Sequence, residues 1–248
     1  MYRDAFKNYL QTHGYASFDL KAVLFDMDGV LFDSMPAHAE SWHTVMKRHG
    51  LRLDREEAYL HEGRTGAGTI HIVSRRERGR DATPEEIEAI YADKVAEFNK
   101  HPQPERMPGA WEVLNQIKTD GLKIILVTGS GQKSLLERLN RSFPHIFRKE
   151  LMVTAFDVTE GKPSPEPYLT GLKKGRLQPN EGIVVENAPL GVQAASSAGI
   201  FTLAVNTGPL PDRVLWDSGA NVLFRSMVEL SEQWKTFRDE LTTNHKVY

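Results

Sequence analysis

The chain has 248 residues, 40% of them hydrophobic, with a formal net charge of -2 and no cysteine. This composition allows one large core or a core with an insert, and it excludes a global basic field for nucleic acid, disulfides and thiolate chemistry. No run approaches the roughly 20 apolar residues of a membrane span, and the first ten residues lack the apolar region of a signal peptide, so we expect a cytoplasmic protein that binds neither membranes nor nucleic acid.

The stretch 1–19 has the pattern of a short amphipathic helix, because Ala5, Phe6, Tyr9 and Leu10 fall on one helical face. This spacing is typical of a helix that packs one face against a core. We therefore expect the segment to dock on the rest of the chain, and a helix that binds a partner is the alternative.

Only helical patterns follow between residues 34 and 105. They cover 35–49, a stretch after Asp54, a helix entered from the glycine-rich segment 61–70, and 83–100. The last of these begins with a capping threonine, a proline and two acidic residues, which is a strong helix start.

Strand and helix patterns alternate on both sides of this segment. The predicted strands are 19–25, 122–127, 151–154, 182–185, 200–205 and 222–224, and the helices between and after them are 109–119, 132–141, 161–174, 189–198 and 227–241. The alternation predicts a doubly wound parallel α/β sheet of the Rossmann-like type with right-handed crossovers.

The change of pattern predicts two domains. Residues 1–33 and 106–248 would form an α/β core, with 1–19 as an N-terminal helical extension. Residues 34–105 would form an α-helical cap domain inserted after the first strand.

The first strand ends in two carboxylates, Asp26 and Asp28, and Gly29 follows at once. Charges at the end of a buried strand are costly unless a metal ion, a charged partner or a catalytic role offsets them. Ligands bind at this end of the strands in an open α/β sheet. We interpret the pair as the catalytic centre, and the alternative is a turn with two solvated aspartates.

Other predicted strands and loops end in polar residues: Thr128, Ser130, Lys162, Glu186 and Asn187. Each alone is also typical of a turn, a helix cap or an exposed helix start. Together with the two aspartates they supply what phosphoryl transfer needs. These requirements are a nucleophile, a group for proton transfer, donors for phosphate oxygens, a balancing lysine and oxygen ligands for Mg²⁺.

Four ordered motifs resemble the haloacid dehalogenase (HAD) superfamily, in the branch of β-phosphoglucomutase and the sugar-phosphate phosphatases, whose members carry an inserted helical cap. The motifs are Asp-Met-Asp-Gly-Val at 26–30, Thr-Gly-Ser at 128–130, Lys-Pro-Ser-Pro at 162–165 and Val-Val-Glu-Asn-Ala-Pro-Leu-Gly-Val at 184–192. The resemblance covers nearly all of 21–208. It implies a Mg²⁺ cofactor and a small phosphorylated metabolite as substrate, and we expect a monomer.

The resemblance also implies roles for single residues. Asp26 would be the nucleophile that becomes an aspartyl phosphate, and Asp28 would protonate the leaving oxygen and then act as a base. Thr128 with the adjacent backbone N–H of Gly129, and Ser130 nearby, would hold the transferring phosphate. Lys162 would link the nucleophile and the phosphate.

The Mg²⁺ ligands implied in the same way are Asp26, the backbone carbonyl of Asp28, Glu186 and Asn187. The family commonly has aspartate at the last of these positions. An amide oxygen can bind Mg²⁺ but brings no charge, so we expect weaker metal binding than with aspartate.

Within the cap, the matching substrate-binding features are His38, Trp42, Arg64 and Lys94. Each has an ordinary alternative, as a satisfied helix histidine, core packing or a solvated side chain. The mutases have an arginine for the second phosphate where this chain has Gly66. Either Arg64 replaces that arginine, or a second phosphate is not recognised.

These features favour a Mg²⁺-dependent phosphohydrolase over its alternative, a β-phosphoglucomutase-type isomerase. Both would share every core residue. Gly66 favours the hydrolase, whereas His38 and Lys94 favour the mutase. A phosphonatase and a binding module on an inactive scaffold are further alternatives that the motifs support less.

Overall fold

The computed structural model describes residues 1–131 and 135–242. The strands are β1 Ala22–Phe25, β2 Lys123–Val127, β3 Met152–Val153, β4 Gly182–Glu186, β5 Phe201–Val205 and β6 Val222–Phe224. The helices are α1 Arg3–His13, α2 Met35–Arg48, α3 Arg55–Leu60, α4 Gly66–Arg78, α5 Pro84–Phe98, α6 Ala110–Thr119, α7 Leu135–Ser142, α8 Glu166–Gly175, α9 Pro189–Ser197, α10 Asp212–Asp217 and α11 Met227–Thr242. The helix predicted at 132–141 corresponds to α7, and 132–134 lie outside the described residues.

The strands form one parallel sheet in the order β3-β2-β1-β4-β5-β6, which confirms the predicted fold class. β1 lies at the centre, where Leu24 is in register with Ile125 on one side and Val184 on the other. The chain builds outward from β1 to β3 and then returns to β4 on the opposite side. The switch point between β1 and β4 is where a doubly wound sheet forms its ligand-binding crevice.

Both faces of β1 are buried, as its unbroken apolar run predicts for a parallel strand covered on two sides. Because side chains alternate along a strand, Val23 and Phe25 join the cluster that includes residues of α1, α6 and α11. Ala22 and Leu24 join the opposite cluster, with residues of α8 and α9. The sheet therefore holds the end of β1 rigidly from both sides.

Helices α2, α4 and α5 enclose a hydrophobic cluster of their own. Its fully buried members include Val45, Ile70 and Val73. A capping box at Thr83 and Glu86 starts α5, as the sequence predicts. The separate cluster agrees with the predicted cap, while its boundaries at 34 and 105 stay a prediction.

Several local predictions were wrong, among them the start of the helix predicted at 161–174, since α8 begins at Glu166. Helix α1 ends at His13 rather than near 19, because Gly14 adopts a left-handed conformation with φ of 68° and ends the helix. Strand β1 begins at Ala22 rather than 19, and helix α10 was not predicted. None of the helices in the described part of the chain has the length and apolar character that a membrane crossing requires.

The amphipathic face of α1 packs on the core, as predicted. Phe6, Tyr9 and Leu10 are buried. The ring centroid of Phe6 lies 4.8 Å from that of Phe201 and 5.1 Å from that of Phe237. The Tyr9 hydroxyl donates a hydrogen bond of 2.7 Å to the carbonyl of Gly199. The extension is therefore part of the folded core.

We expect Phe6→Ala to lower the free energy of unfolding by about 3–5 kcal/mol, because it leaves a cavity inside an aromatic cluster. Urea unfolding followed by circular dichroism measures this change. The control is Lys7→Ala, whose side chain is exposed on the same helix. Equal stability of the two variants would show that α1 adds nothing to the core.

Candidate active site

Asp26 and Asp28 lie in the turn that follows β1, at the switch point of the sheet. Asp26 is 3% exposed. Gly29 has φ of 79°, a left-handed conformation that favours glycine. A Cβ atom at Gly29 would lie 2.0 Å from Asn187 Nδ2, so a larger residue would displace Asn187. Glycine thus allows the two strand ends to approach each other.

Lys162 lies beneath this turn and is shared by two carboxylates. Its Nζ lies 2.5 Å from Asp26 Oδ1 and 2.5 Å from Glu186 Oε1, and it donates a bond of 3.2 Å to the carbonyl of Val127. Lys162 is 1% exposed. One buried ammonium therefore faces two buried carboxylates.

The electrostatics of this cluster follow from that imbalance. Burial raises the pKa of Asp26, Lys162 opposes the rise, and the charge of Glu186 adds to it. Burial would lower the pKa of Lys162, but Asp26 and Glu186 reverse this and raise it. The lysine stays charged, and the cluster has one negative charge more than it can pair whenever Asp26 is ionised. A second cation at Asp26 would restore the balance.

Glu186 uses both carboxylate oxygens within the protein. Oε1 accepts hydrogen bonds from Lys162 and from the Tyr168 hydroxyl, the latter at 2.8 Å. Oε2 accepts from the backbone N–H groups of Asn187 at 3.0 Å and Ala188 at 3.1 Å. The predicted metal ligand Glu186 thus holds Lys162 and the backbone after β4.

Asn187 lies against a residue that sequence reasoning missed. Its Nδ2 donates a hydrogen bond of 2.8 Å to Oε1 of Glu62, which comes from the segment between α3 and α4. Burial raises the pKa of Glu62 well above its usual range, the bond from Asn187 opposes this, and the charges of nearby carboxylates add to it. Glu62 lies two residues before Arg64, which the family resemblance selects, but no sequence pattern distinguishes Glu62 itself.

The oxygen atoms at this end of the sheet fit a Mg²⁺ ion. Oδ1 of Asn187 is buried and has no hydrogen-bond partner among the described residues. Such an orphaned oxygen is costly unless a cation or donor meets it. Acidic and histidine side chains alone form no metal cluster in the described ranges. A site here would therefore combine the Asn187 amide oxygen with the carboxylate of Asp26.

Asp28 is held by a chain of hydrogen bonds that leads into the cap helices. Ser34 Oγ donates to Asp28 Oδ1 at 2.6 Å, and His38 Nε2 lies 3.4 Å from the same oxygen. Lys94 Nζ is 2.7 Å from His38 Nδ1 and lies over the Trp42 ring, 5.3 Å from its centroid. The predicted cap residues His38, Trp42 and Lys94 therefore belong to one network.

The pKa values in this network follow from burial and charge. Burial alone would raise the pKa of Asp28, but His38, Ser34 and Arg138 outweigh it, and the result is a pKa well below the usual range. Burial and the neighbouring Lys94 charge lower the pKa of His38. Burial lowers the pKa of Lys94 to about 8. Asp28 is thus ionised and able to accept a proton.

The loop after β2 approaches the cap closely. The backbone N–H of Ser130 donates to Thr128 Oγ1 at 3.1 Å, and Thr128 is 5% exposed. A Cβ atom on Gly129 would lie 3.0 Å from the carbonyl oxygen of Gly63. Glycine at 129 therefore permits the cap segment next to Arg64 to close over the loop.

One cavity of about 90 Å³ lies between core and cap. Most of the predicted site residues line it, and so do Glu62, Tyr91 and Arg138, which were not predicted. The predicted residues in its wall are Asp26, Asp28, His38, Trp42, Arg64, Lys94, Thr128, Gly129 and Ser130. Asn187 lines a neighbouring cavity. Lys162 and Glu186 lie beneath Asp26.

We expect Lys162→Met to destabilise the protein by about 3–5 kcal/mol, because it leaves two buried carboxylates without a cation. Urea unfolding measures this, with the exposed Lys173→Met as control. Adding Asp26→Asn to Lys162→Met removes one of the two charges and should recover part of the loss. Additive effects of the two substitutions would contradict the coupling.

A family model described as haloacid dehalogenase-like hydrolase matches residues 23–205. Hexitol phosphatase A of Escherichia coli is 31% identical over 75% of this chain and 83% of its own length. The phosphorylated carbohydrates phosphatase of Thermotoga maritima is 32% identical over 83% of this chain and 94% of its own length.

Among solved structures, one described as "Putative beta-phosphoglucomutase from Bacteroides vulgatus" is 66% identical, covers 97% of this chain and 98% of its own, and has a TM-score of 0.94. These likenesses confirm the family that the four motifs predict. The chain therefore belongs to the haloacid dehalogenase-like hydrolase family and is a phosphotransferase enzyme.

Proposed function

We propose that the chain is a Mg²⁺-dependent phosphatase of a small phosphorylated sugar or related metabolite. The observation that carries the proposal is the position of Asp26, which lines the cavity of about 90 Å³ while Lys162 holds it from below. The named activities of the Escherichia coli and Thermotoga relatives are phosphatase activities on phosphorylated carbohydrates, which agrees with this substrate class.

In the proposed reaction, a carboxylate oxygen of Asp26 attacks the phosphorus of the substrate. The bond from phosphorus to the leaving oxygen breaks, and that oxygen receives a proton from Asp28, which is ionised in the free protein and takes this proton up when the substrate binds. A water molecule, deprotonated by Asp28, then attacks the phosphorus of the aspartyl phosphate. Inorganic phosphate leaves, and the Asp26 carboxylate is restored.

Mg²⁺ would be held by Asp26, the Asn187 amide oxygen and the backbone carbonyl of Asp28, with Glu62 nearby. It would supply positive charge to the phosphate oxygens when bound. Lys162 orients Asp26, and the 128–130 loop provides a hydroxyl and backbone N–H groups for the phosphate. The segment 34–105 would act as the cap, whose closure excludes water from the leaving group.

Two observations support hydrolysis over the mutase reaction. A Cβ atom on Gly66 would lie 2.3 Å from the Tyr91 ring, so an arginine for a second phosphate would have to displace Tyr91. The cavity of about 90 Å³ is far below the roughly 300–1,000 Å³ of sites for drug-sized ligands. A small leaving group suits this space better than a hexose bisphosphate in two orientations.

The mutase remains the second candidate because His38 reaches Asp28 from the cap and Lys94 contacts His38. The Bacteroides vulgatus structure, described as a mutase, is also similar over nearly the whole chain. In that reaction a sugar hydroxyl, instead of water, would attack the aspartyl phosphate.

We expect the protein with MgCl₂ to release inorganic phosphate from substrates graded by leaving-group size: inorganic pyrophosphate, glycerol phosphates, hexitol phosphates and hexose phosphates. Asp26→Asn should reduce the rate by on the order of 10⁴-fold or more, and Asp28→Asn by roughly 10²–10⁴-fold. The exposed Asp19→Asn, at the entry to β1, is the control.

Two results would contradict the hydrolase. Full activity of Asp26→Asn would remove the nucleophile from the mechanism. Conversion of β-glucose 1-phosphate, with a trace of the 1,6-bisphosphate, into glucose 6-phosphate without free phosphate would select the mutase.

We further expect Asn187→Asp to tighten Mg²⁺ binding, because it adds an anionic ligand. The new carboxylate would also face Glu62, so the metal-free variant should be less stable than the parent. The Mg²⁺ dependence of the melting temperature measures both effects. No tightening in Asn187→Asp, alone or combined with Glu62→Gln, would count against a metal site at Asn187.

A further inference from the structure

Arg138 on α7 is a cation in the cavity wall that the proposed mechanism does not use. It is partly buried. Its Nε is buried and has no hydrogen-bond partner among the described residues. Among the described residues, its guanidinium contacts a thioether sulfur and an aromatic ring. Nη2 lies 3.6 Å from the Met27 sulfur, and Cζ lies 5.1 Å from the centroid of the Phe32 ring.

These contacts do not satisfy a guanidinium. The group stays charged and carries five N–H donors in a planar fork that matches carboxylate and phosphate oxygens. A thioether sulfur is only a weak acceptor. A partly buried cation without a strong acceptor is costly, and an anionic ligand in the same cavity would offset that cost.

The position of Arg138 indicates which part of the ligand it meets. In the sequence, Met27 separates the proposed nucleophile Asp26 from the proposed proton donor Asp28. In the proposed reaction, Asp28 faces the leaving oxygen. The charge of Arg138 reaches this pair, since it contributes to the lowered pKa values of Asp28 and His38. Arg138 is therefore on the leaving-group side of Asp26.

Among the described residues of this wall, Arg64 resembles Arg138 in part but differs in its place in the fold. Arg64 has an unpartnered buried Nε too, but it comes from the segment 34–105 that would move as the cap. Arg138 belongs to a helix of the core, directly after the 128–130 loop. It is thus in place whether or not the cap is closed.

We propose that Arg138 is a substrate-binding residue whose guanidinium pairs with an oxyanion, a carboxylate or a phosphate, on the leaving part of the substrate. This inference rests on the proposed function for its orientation. It makes the enzyme selective for small phosphorylated compounds whose leaving group is itself anionic.

The test uses two probes that cannot be hydrolysed: phosphonoacetate, which carries a second anionic group, and ethylphosphonate, which does not. Isothermal titration calorimetry in MgCl₂ compares the parent with Arg138→Met and with Arg141→Met, an exposed arginine on the same helix. A lost charge-assisted hydrogen bond is worth roughly tenfold or more in Kd.

We expect Arg138→Met to raise the Kd of phosphonoacetate by about tenfold or more and the Kd of ethylphosphonate by less than about twofold. Arg138→Lys should recover part of the loss, and Arg141→Met should change neither. An unchanged affinity for phosphonoacetate, or an equal loss for both probes, would overturn the proposal. Urea unfolding confirms that each variant is folded, and Arg138→Gln replaces Arg138→Met if the latter is not.

Because neither probe turns over, the result does not depend on catalysis. A selective loss in Arg138→Met with an enzyme that hydrolyses no substrate would refute the proposed function and leave this inference standing. Hydrolysis of a substrate without a selective loss in Arg138→Met would support the proposed function and refute the role of Arg138.

Discussion

The contact between Lys162 and two buried carboxylates is the constraint on which the rest of the site depends. One ammonium cannot neutralise Asp26 and Glu186 in a medium that penalises charge. Glu186 accepts hydrogen bonds from four donors, whereas Asp26 lies at the cavity wall. Asp26 is then the carboxylate that is short of a partner. A second cation would therefore stabilise Asp26 more than Glu186.

The approach of cap and core follows from small residues at a few points. Gly29 lets Asn187 reach Glu62, and Gly129 lets the segment at Gly63 pack closely on the 128–130 loop. At each of these positions, a residue with a Cβ atom would keep the two parts of the chain apart. The cavity between them owes its small size to these close approaches. The shape of the cavity is therefore set by backbone packing as well as by charged side chains.

Asn187 and Glu62 make sense as a pair. An aspartate at 187 would place two carboxylates within hydrogen-bonding distance, whereas the amide donates to Glu62 and keeps an oxygen for another partner. The departure from the usual family residue at 187 therefore accompanies an acidic residue in the cap. From the sequence, only Asn187 is recognisable as unusual, because Glu62 lies in no motif.

The sequence by itself determined the parallel α/β fold, the helical insertion and the family, because these depend on local periodicity and on short contiguous motifs. It also selected Asp26, Asp28, Lys162 and the 128–130 loop, which follow predicted strands whose ends must meet at one edge. Only the tertiary structure decided that Glu186 is saturated by donors and that Glu62, Tyr91 and Arg138 face the same cavity. Such contacts join chain-distant elements, and their geometry is set by how cap and core pack, which no local pattern encodes.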